Sequence, residues 1–422
     1  MFTISGSLII RTIFTDNLIG EEMSSKINKI AVLCSYEFPV GMASTSRILA
    51  YCRGFKDNGV SPEVYTFRWI ADNEGLPISG EVNGIPYKNS HLWHSQRSIF
   101  YKMLIDKPLI RKKAIDDIAS SNQKQPIDWV LLSFDNLNLL EYYVPRLKKL
   151  GLKLAFIGDE FPKPMRDKLK ESITNRQIRR YKSIYRNIDA RIVMTKSLQD
   201  FYDTVIGEKP TYILPSIIDS NRFADVAGDD NRLNSKYFCY TGGLEPTSDN
   251  LDVMIKAFAK VLKVYPEYEL RLYGNPSPEN RILFENVAKE EGVADKVKFM
   301  GRISNAEIPE TLAHAKIVMT SQPDNMRVRG SFSTKIGEYL ASGTPTLVTK
   351  VGSIPLYFEH GRDLFYAQVD DVDDYANQII EILKDYGKAI KVAQNGRSLI
   401  SNNFNATFLT SGLIDFLSDL NS

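Results

Sequence analysis

Three short segments carry residue types suited to chemistry on a phosphorylated ligand. In residues 326–345, Ser331, Ser333 and Thr334 precede a helical pattern that holds Lys335, Glu338 and Tyr339. Lys335 and Glu338 are three apart and share a helix face. Hydroxyl residues at a helix start can cap it and leave N–H groups pointing at an anion. Arg327, Arg329 and Lys335 place three cations within nine residues. A carboxylate such as Glu338 can accept both hydrogen bonds of a vicinal diol, as on a ribose. Phosphate at the helix start with ribose one turn further in makes a nucleotide site. An isolated segment of this kind is more often a surface helix with an i,i+3 ion pair and a capping box. The second segment is Tyr240-Thr241-Gly242-Gly243-Leu244, between an apolar run and a helical pattern. Glycines there let the backbone approach a ligand closely, although a plain tight turn uses them too. The third is Gly158-Asp159-Glu160, which closes the apolar run 152–157; its carboxylates suit acid–base or electrostatic work, or a turn cap.

The elements that must position these residues alternate regularly. Strand-like runs occupy residues 30–34, 63–67, 129–133, 152–157 and 191–195, and again 237–240, 268–273, 297–300, 317–320 and 346–349. Amphipathic stretches lie between many of them. Ser44 is placed to cap a helix carrying Ile48, Leu49, Cys52 and Phe55 that stops at Gly59. Ser248 or Asp249 is placed to cap another, with Leu251, Met254, Ile255, Phe258, Val261 and Leu262 at helical spacing. Residues 372–420 are helical throughout in pattern. Strand–helix alternation predicts parallel sheets covered on both faces, and here it occurs twice. The expected organisation is α/β. Residues 1–26 form a disordered extension, with Met23 a natural start. Residues 27–225 form one doubly wound domain, 226–236 a linker and 237–395 a second doubly wound domain. Residues 396–422 form a terminal helix that crosses back to the first. Ligands of such domains bind at the carboxyl ends of the strands.

The order of motifs is similar to that of retaining glycosyltransferases of family 4, the "group 1" class with the two-domain GT-B fold. Lys335-Ile-Gly-Glu338-Tyr-Leu-Ala-Ser-Gly343-Thr-Pro345 resembles the family's Lys-x-x-Glu-Tyr-x-Ala-x-Gly-x-Pro block. Residues 240–244 resemble its glycine turn, Leu272-Tyr-Gly274 its strand-end glycine, and Val297-Lys-Phe-Met-Gly301-Arg-Ile303 its Val-x-Phe-x-Gly block. Leu312-Ala-His-Ala-Lys-Ile-Val and Ser321 resemble the helix and strand that follow. Upstream, Glu37-Phe-Pro39-Val-Gly41-Met-Ala resembles the loop after the first strand, residues 188–197 the strand before the linker, and residues 213–223 the Pro-Asn-Gly element.

The resemblance implies two domains facing each other across a cleft, with a nucleotide diphosphate sugar bound by the second. Glu338 would hold the ribose, Arg302 and Ile303 the base, and Gly242 and Gly243 the diphosphate. Ser333 and Thr334 would start the phosphate-facing helix. Gly41 and Met42 would belong to the acceptor or interdomain loop. Asp159, then Glu160, would be the catalytic carboxylates of the first domain. Three features depart from the family pattern. Gly330 stands where many relatives carry the first Glu of Glu-x7-Glu. Gly243 and residues 246–249 replace an Arg and a Lys on the diphosphate, so Arg327, Arg329 and Lys335 are expected to substitute for them. Ser216-Ile217 replaces Asn-Gly. The activity implied is metal-independent, retaining transfer of a sugar to a lipid-linked or polysaccharide acceptor in cell-envelope or capsule synthesis. The alternatives are a sugar-nucleotide 2-epimerase of the same fold and a non-catalytic binding subunit.

Composition and charge bound the rest. With 422 residues, 43% hydrophobic and 25% charged, the chain is neither disordered nor fibrous, and two domains suit its length. The net charge of +2 conceals an asymmetry: residues 1–225 hold 32 Lys and Arg against 25 Asp and Glu, whereas residues 226–422 hold 21 against 26. The excess is concentrated in residues 97–113, with six cations and one acid, and in 163–186, with nine and two. Apolar residues interleave both, the pattern of a helix that meets an anionic membrane surface. A cytoplasmic protein, peripheral on the inner face of the membrane, is the resulting expectation. No run reaches the ~18 apolar residues of a membrane span. Cys34, Cys52 and Cys239 read as buried thiols, and Asp371-Val-Asp373 as a helix cap rather than a metal motif. No metal, no cofactor and no nucleic-acid partner is expected.

Overall fold

The computed structural model describes residues 27–41, 43–67, 77–89, 101, 104, 107–162, 171–226, 231–246 and 248–421. Two compact units divide the chain, with boundaries at Ile217/Ile218 and Asn405/Ala406. The first boundary falls before the expected 225, so the segment that holds Arg222 belongs to the second unit rather than the first.

The first unit contains strands β1 (Lys29–Cys34), β2 (Ser61–Thr66), β3 (Ser79–Val82), β4 (Ile85–Asn89), β5 (Trp129–Ser133), β6 (Lys153–Gly158), β7 (Ala190–Val193) and β8 (Thr211–Ile213). They lie in the order β3-β4-β2-β1-β5-β6-β7-β8. All pairs are parallel except β3 with β4. Every residue of β1 and β5 is buried, as expected of central strands covered on both faces. The helices are α1 (Ala43–Asp57), α2 (Lys107–Lys124), α3 (Leu137–Lys149), α4 (Glu171–Tyr185) and α5 (Lys196–Phe201). The chain leaves β1 toward β2 on one side and β5 toward β6 on the other. The carboxyl ends of β1 and β5 are therefore a topological switch point, where such sheets open a crevice. The β3–β4 hairpin was not anticipated. Its Asn83-Gly84 turn, with φ of 53° and 72°, matches the two-residue turn that fits the twist of paired strands.

The second unit contains β9 (Tyr237–Thr241), β10 (Glu269–Tyr273), β11 (Val297–Gly301), β12 (Ile317–Thr320), β13 (Thr346–Thr349) and β14 (Phe365–Ala367). They form a wholly parallel sheet in the order β11-β10-β9-β12-β13-β14. Its helices are α6 (Asn231–Asn234), α7 (Leu251–Leu262), α8 (Pro278–Glu290), α9 (Ile308–Ala313), α10 (Met326–Gly330), α11 (Thr334–Ala341), α12 (Val372–Lys384) and α13 (Tyr386–Asn403). The apolar periodicity of α7 is realised: Leu251, Met254, Ile255, Phe258 and Val261 are buried in the core with Phe238, Leu270 and Leu272. The switch point here lies between β9 and β12.

The last helix, α14 (Ala406–Asp419), packs on α1 and belongs to the first unit. The return begins at Ala406 rather than 396, because α13 remains with the second unit. Gly54 makes the packing possible: a Cβ there would lie 2.3 Å from Thr410 Oγ1 and 2.4 Å from the Ala406 carbonyl oxygen. Asn58 Nδ2 donates to the Thr407 carbonyl at 2.8 Å and to Thr410 Oγ1 at 3.1 Å. No helix among the described residues is long and apolar enough to cross a membrane. The three cysteines are buried and unpaired, and burial pushes the Cys34 thiol up to about 12.

Candidate functional site

The glycine turn follows β9 at the switch point of the second sheet. Leu244 takes a positive φ of 57°, and the loops after neighbouring strands are stitched to the turn. Gly242 N–H donates to the Tyr273 carbonyl at 2.9 Å, and Gly274 N–H to the Gly301 carbonyl at 2.9 Å. A Cβ on Gly274 would lie 2.0 Å from the Gly242 carbonyl oxygen, so the strand-end glycine is a steric requirement of the turn.

Beneath this turn sits Lys335. Its Nζ donates to Asp249 Oδ1 at 2.5 Å and to Tyr240 Oη at 3.2 Å. Tyr240 Oη donates to Asp249 Oδ2 at 2.7 Å, and Ser248 Oγ and Thr320 Oγ1 also approach the carboxylate. Asp249 is 1% exposed and the Lys335 side chain 18%. Burial, and then the charge of Asp249, push the Tyr240 phenol well above its ordinary value, so it stays protonated and donates. A Cβ on Gly242 would fall 2.9 Å from Lys335 Nζ and 2.2 Å from Tyr240 Oη. An ammonium has three donors. Two are engaged by Asp249 and Tyr240, and the Gly242 backbone stands beside the nitrogen. Sequence reading placed Asp249 or Ser248 as a helix cap. The structure corrects this: Asn250 is the cap residue of α7, and Asp249 turns inward to the lysine.

One turn along α11, Glu338 Oε1 accepts from Arg222 Nη1 at 2.8 Å. Arg222 comes from the 3-10 turn Ser220–Phe223 and also donates to the Asn305 carbonyl. Burial raises the Glu338 carboxyl, and the Arg222 guanidinium pulls it back down. The helix itself is fixed by Tyr339, whose hydroxyl accepts from Thr241 N–H at 2.9 Å and donates to the Thr241 carbonyl at 3.2 Å. Ser333 is the cap residue of α11 without a side-chain cap bond, and Thr334 is its exposed first residue. Arg302, exposed, and Ile303, half-buried, follow β11.

Of the three cations expected to share a diphosphate, Arg329 and Lys335 are held by different acids. Arg329 forms a two-pronged pair with Asp324, Nε to Oδ1 and Nη2 to Oδ2, both at 2.6 Å. Arg327 is exposed on the five-residue helix α10, which Asn325 caps. Only Lys335 is built into the turn. The acids of the Asp-x-Asp sequence have local roles: Asp371 Oδ1 caps α12 through Asp374 N–H at 2.9 Å, and Asp373 pairs with Lys260.

In the first unit, Asp159 follows β6 and is clamped by Arg47 of α1. Burial raises the Asp159 carboxyl, countered by the Arg47 guanidinium. Its Oδ1 is buried without a partner, and so is Arg47 Nε. Tyr36, after β1, hydrogen-bonds Ser133 at the end of β5. Burial also lifts the Tyr36 phenol, and the Asp159 and Arg47 charges both act on it. Glu160 is half-buried beside them. Arg47 was missed by sequence reading because nothing local marks it: the pair spans 112 positions. Gly41 is closed against Thr45, whose hydroxyl donates to the Glu37 carbonyl at 2.6 Å. Met42 lies outside the described residues, as do residues 97–100, 102, 103, 105 and 106 of one basic stretch and 163–170 of the other.

Two parallel doubly wound units of this topology are those of the GT-B fold. The chain aligns over 92% of its length with 98% of sucrose-phosphate synthase from Thermosynechococcus elongatus, at a TM-score of 0.70 and 16% identity. It aligns over 93% of its length with 99% of Anabaena Alr3699/HepE, solved with UDP and glucose, at 0.66 and 16%. Residues 224–399 match the family model "Glycosyl transferases group 1". It is 28% identical over 236 residues to mannosylfructose-phosphate synthase of Agrobacterium fabrum, covering 52% of this chain and 51% of that protein. It is 27% identical over 158 residues to N-acetyl-alpha-D-glucosaminyl L-malate synthase of Bacillus anthracis, covering 37% and 39%. The matched region thus spans about half the length of these curated relatives, or less.

Proposed function

We propose that the protein is a glycosyltransferase that moves a sugar from a nucleotide diphosphate sugar to an acceptor hydroxyl, with retention and without a metal. The observation that carries this reading is the Gly242 turn with Lys335 Nζ beside it and Glu338 one helical turn away. Diphosphate oxygens can approach the bare backbone and meet the ammonium, and charge-assisted contacts of this kind contribute about 1.5–3 kcal/mol each. Glu338 gives one oxygen to Arg222 and has its second for the ribose diol. Arg302 and Ile303 offer backbone groups to the base.

In the reaction the C1–oxygen bond to the diphosphate breaks, with its electron pair going to the leaving group. The acceptor oxygen bonds C1 on the same face, and its proton passes to a diphosphate oxygen. Lys335 stabilises the charge that develops there, which is electrostatic catalysis that needs no second carboxylate at Gly330. Asp159 is the carboxylate that the first unit contributes, with Glu160 beside it. Relatives whose names contain phosphate, malate or phosphatidylinositol support an anionic acceptor. A lipid-linked saccharide met at the cytoplasmic membrane face through residues 97–113 and 163–186 is one such acceptor, and a small phosphorylated acceptor is another.

A thermal-shift panel of nucleotide diphosphates and their sugars tests the reading, since a ligand at about 100 times its Kd adds about 2.7 kcal/mol of apparent stability. A shift in the protein that is absent from Lys335→Ala is expected. No shift with any nucleotide refutes the reading. Sugar turnover that requires an acceptor separates a transferase from a binding subunit, and a change of stereochemistry without acceptor identifies an epimerase.

A further inference from the structure

At the switch point of the first sheet lies a cavity of about 270 Å³, lined by Ser35, Phe67, Lys107, Ile110, Arg111, Asn136, Asn138 and Leu139. Its polar groups share one sign. Lys107 and Arg111 stand on the first turns of α2, and among the described residues no Asp or Glu lines the cavity.

The two asparagines are committed to donation by their other bonds. Asn136 Oδ1 accepts from the N–H groups of Asn138 at 3.1 Å and Leu139 at 3.3 Å. Asn138 Oδ1 accepts from Arg180 Nη2 at 2.6 Å, and a guanidinium can only donate. Asn136 therefore has only its NH₂ end left for a ligand, and Asn138, with its oxygen turned to Arg180, presents its NH₂ end as well. An ammonium, a guanidinium, two amide NH₂ groups and the Ser35 hydroxyl line one cavity, and among the described residues no carboxylate lines it with them. Arg111 is also held over the Tyr142 ring, at 5.4 Å from its centroid. The larger cavity on the same unit, about 610 Å³, differs. Glu63 lines it, paired with Lys29, and Lys56 and Lys124 stand on the last turns of their helices, where cations merely balance the helix dipole.

We propose that the smaller cavity binds the phosphate monoester of a soluble acceptor, with Lys107 and Arg111 as the residues that select an anionic over an uncharged acceptor. This rests on the transferase reading above. The cavity lies just under the ~300–1,000 Å³ of ordinary ligand pockets, so it suits one charged group and its adjoining ring rather than a long chain. Basic residues that sequence alone assigned to a membrane surface thereby acquire a defined ligand.

The test uses the full chain with inorganic phosphate as the probe, followed by titration calorimetry in Lys107→Ala, Arg111→Ala, Arg111→Lys and Lys335→Ala. Phosphate affinity is expected to fall about tenfold or more in each alanine variant of the cavity, the effect of one lost charge-assisted contact. It should be retained in Lys335→Ala and partly restored in Arg111→Lys. Nucleotide binding should show the opposite pattern: lost in Lys335→Ala and kept in Arg111→Ala. Phosphate affinity unchanged in both cavity alanine variants overturns the proposal. So does binding confined to phosphatidylglycerol vesicles and abolished by Arg111→Ala, which makes the anion a lipid's. Failure of every nucleotide to bind while the phosphate result holds would remove the transferase reading and leave the anion site standing.

Discussion

Replacing Asp249 with Asn changes a carboxylate to an amide of nearly the same shape, and the outcome follows from the geometry around Lys335. Asp249 is essentially without solvent contact and receives hydrogen bonds from Lys335, Tyr240, Ser248 and Thr320. The amide keeps one acceptor oxygen and turns an NH₂ toward donors, so either Lys335 or Tyr240 loses its partner. Breaking a buried pair by removing one partner costs about 3–5 kcal/mol. Lys335 keeps some solvent contact, which places the expected loss near the lower end, about 3 kcal/mol. Denaturant unfolding should show the midpoint falling at constant slope. Lys335→Met should cost at least as much, because it leaves the fully buried Asp249 charge with only neutral donors, Tyr240, Ser248 and Thr320. The double variant should cost less than the two singles added, with a coupling of about 1–3 kcal/mol. Nucleotide affinity should drop in all three, since the ammonium beside Gly242 is displaced or absent. A loss below about 1 kcal/mol for Asp249→Asn, or strict additivity in the cycle, refutes the argument that this carboxylate holds the lysine.

Other outcomes follow from neighbouring contacts. Burial raises the Glu338 carboxyl, so the folded protein holds that proton more readily than the unfolded chain does. Its contribution to stability is full below the ordinary carboxyl range and is lost as pH rises through the raised value. Arg222→Ala removes the opposing charge and should extend that loss to higher pH, whereas Glu338→Gln should flatten it; unfolding midpoints from about pH 4 to 8 distinguish the two. Arg47→Ala removes the partner of Asp159 Oδ2 while Oδ1 already lacks one, and should cost about 2 kcal/mol or more, read by thermal unfolding and by the acidity at which activity is lost. Gly242→Ala drives a methyl into Tyr240 and Lys335 and should abolish nucleotide-induced thermal shifts while far-UV dichroism persists. Gly54→Leu should free α14 from α1 and expose it to limited proteolysis, with nucleotide binding in the second unit retained.

Most of the fold was legible because the central strands are short, mainly apolar runs separated by amphipathic helices. The weakest strands escaped. β8 and β14 are three residues each, too short to show a period, β3 is exposed along most of its length, and β4 is interrupted by Pro86 and Lys88. The site was legible where its parts are contiguous, as with Lys335 and Glu338 on one helix. It was not legible where a partner comes from another element: Asp249 lies 86 positions from Lys335 and Arg222 lies 116 from Glu338. Arg329 is instructive in the other direction. Its partner Asp324 is five positions away, visible in sequence, yet spacing alone could not tell a locally neutralised arginine from one presented to a ligand.

The return of α14 to the first unit has a consequence for biosynthesis. Residues 218–405 are made between the two parts of the first unit, at about 5–20 residues per second, so the α1 face that receives α14 stays uncovered for about 10–40 s. During that interval the nascent first unit presents the Gly54 groove without its native occupant, while the second unit can already fold. Chaperone attendance and ribosome pausing would therefore act most strongly on the first unit, although its strands are made first.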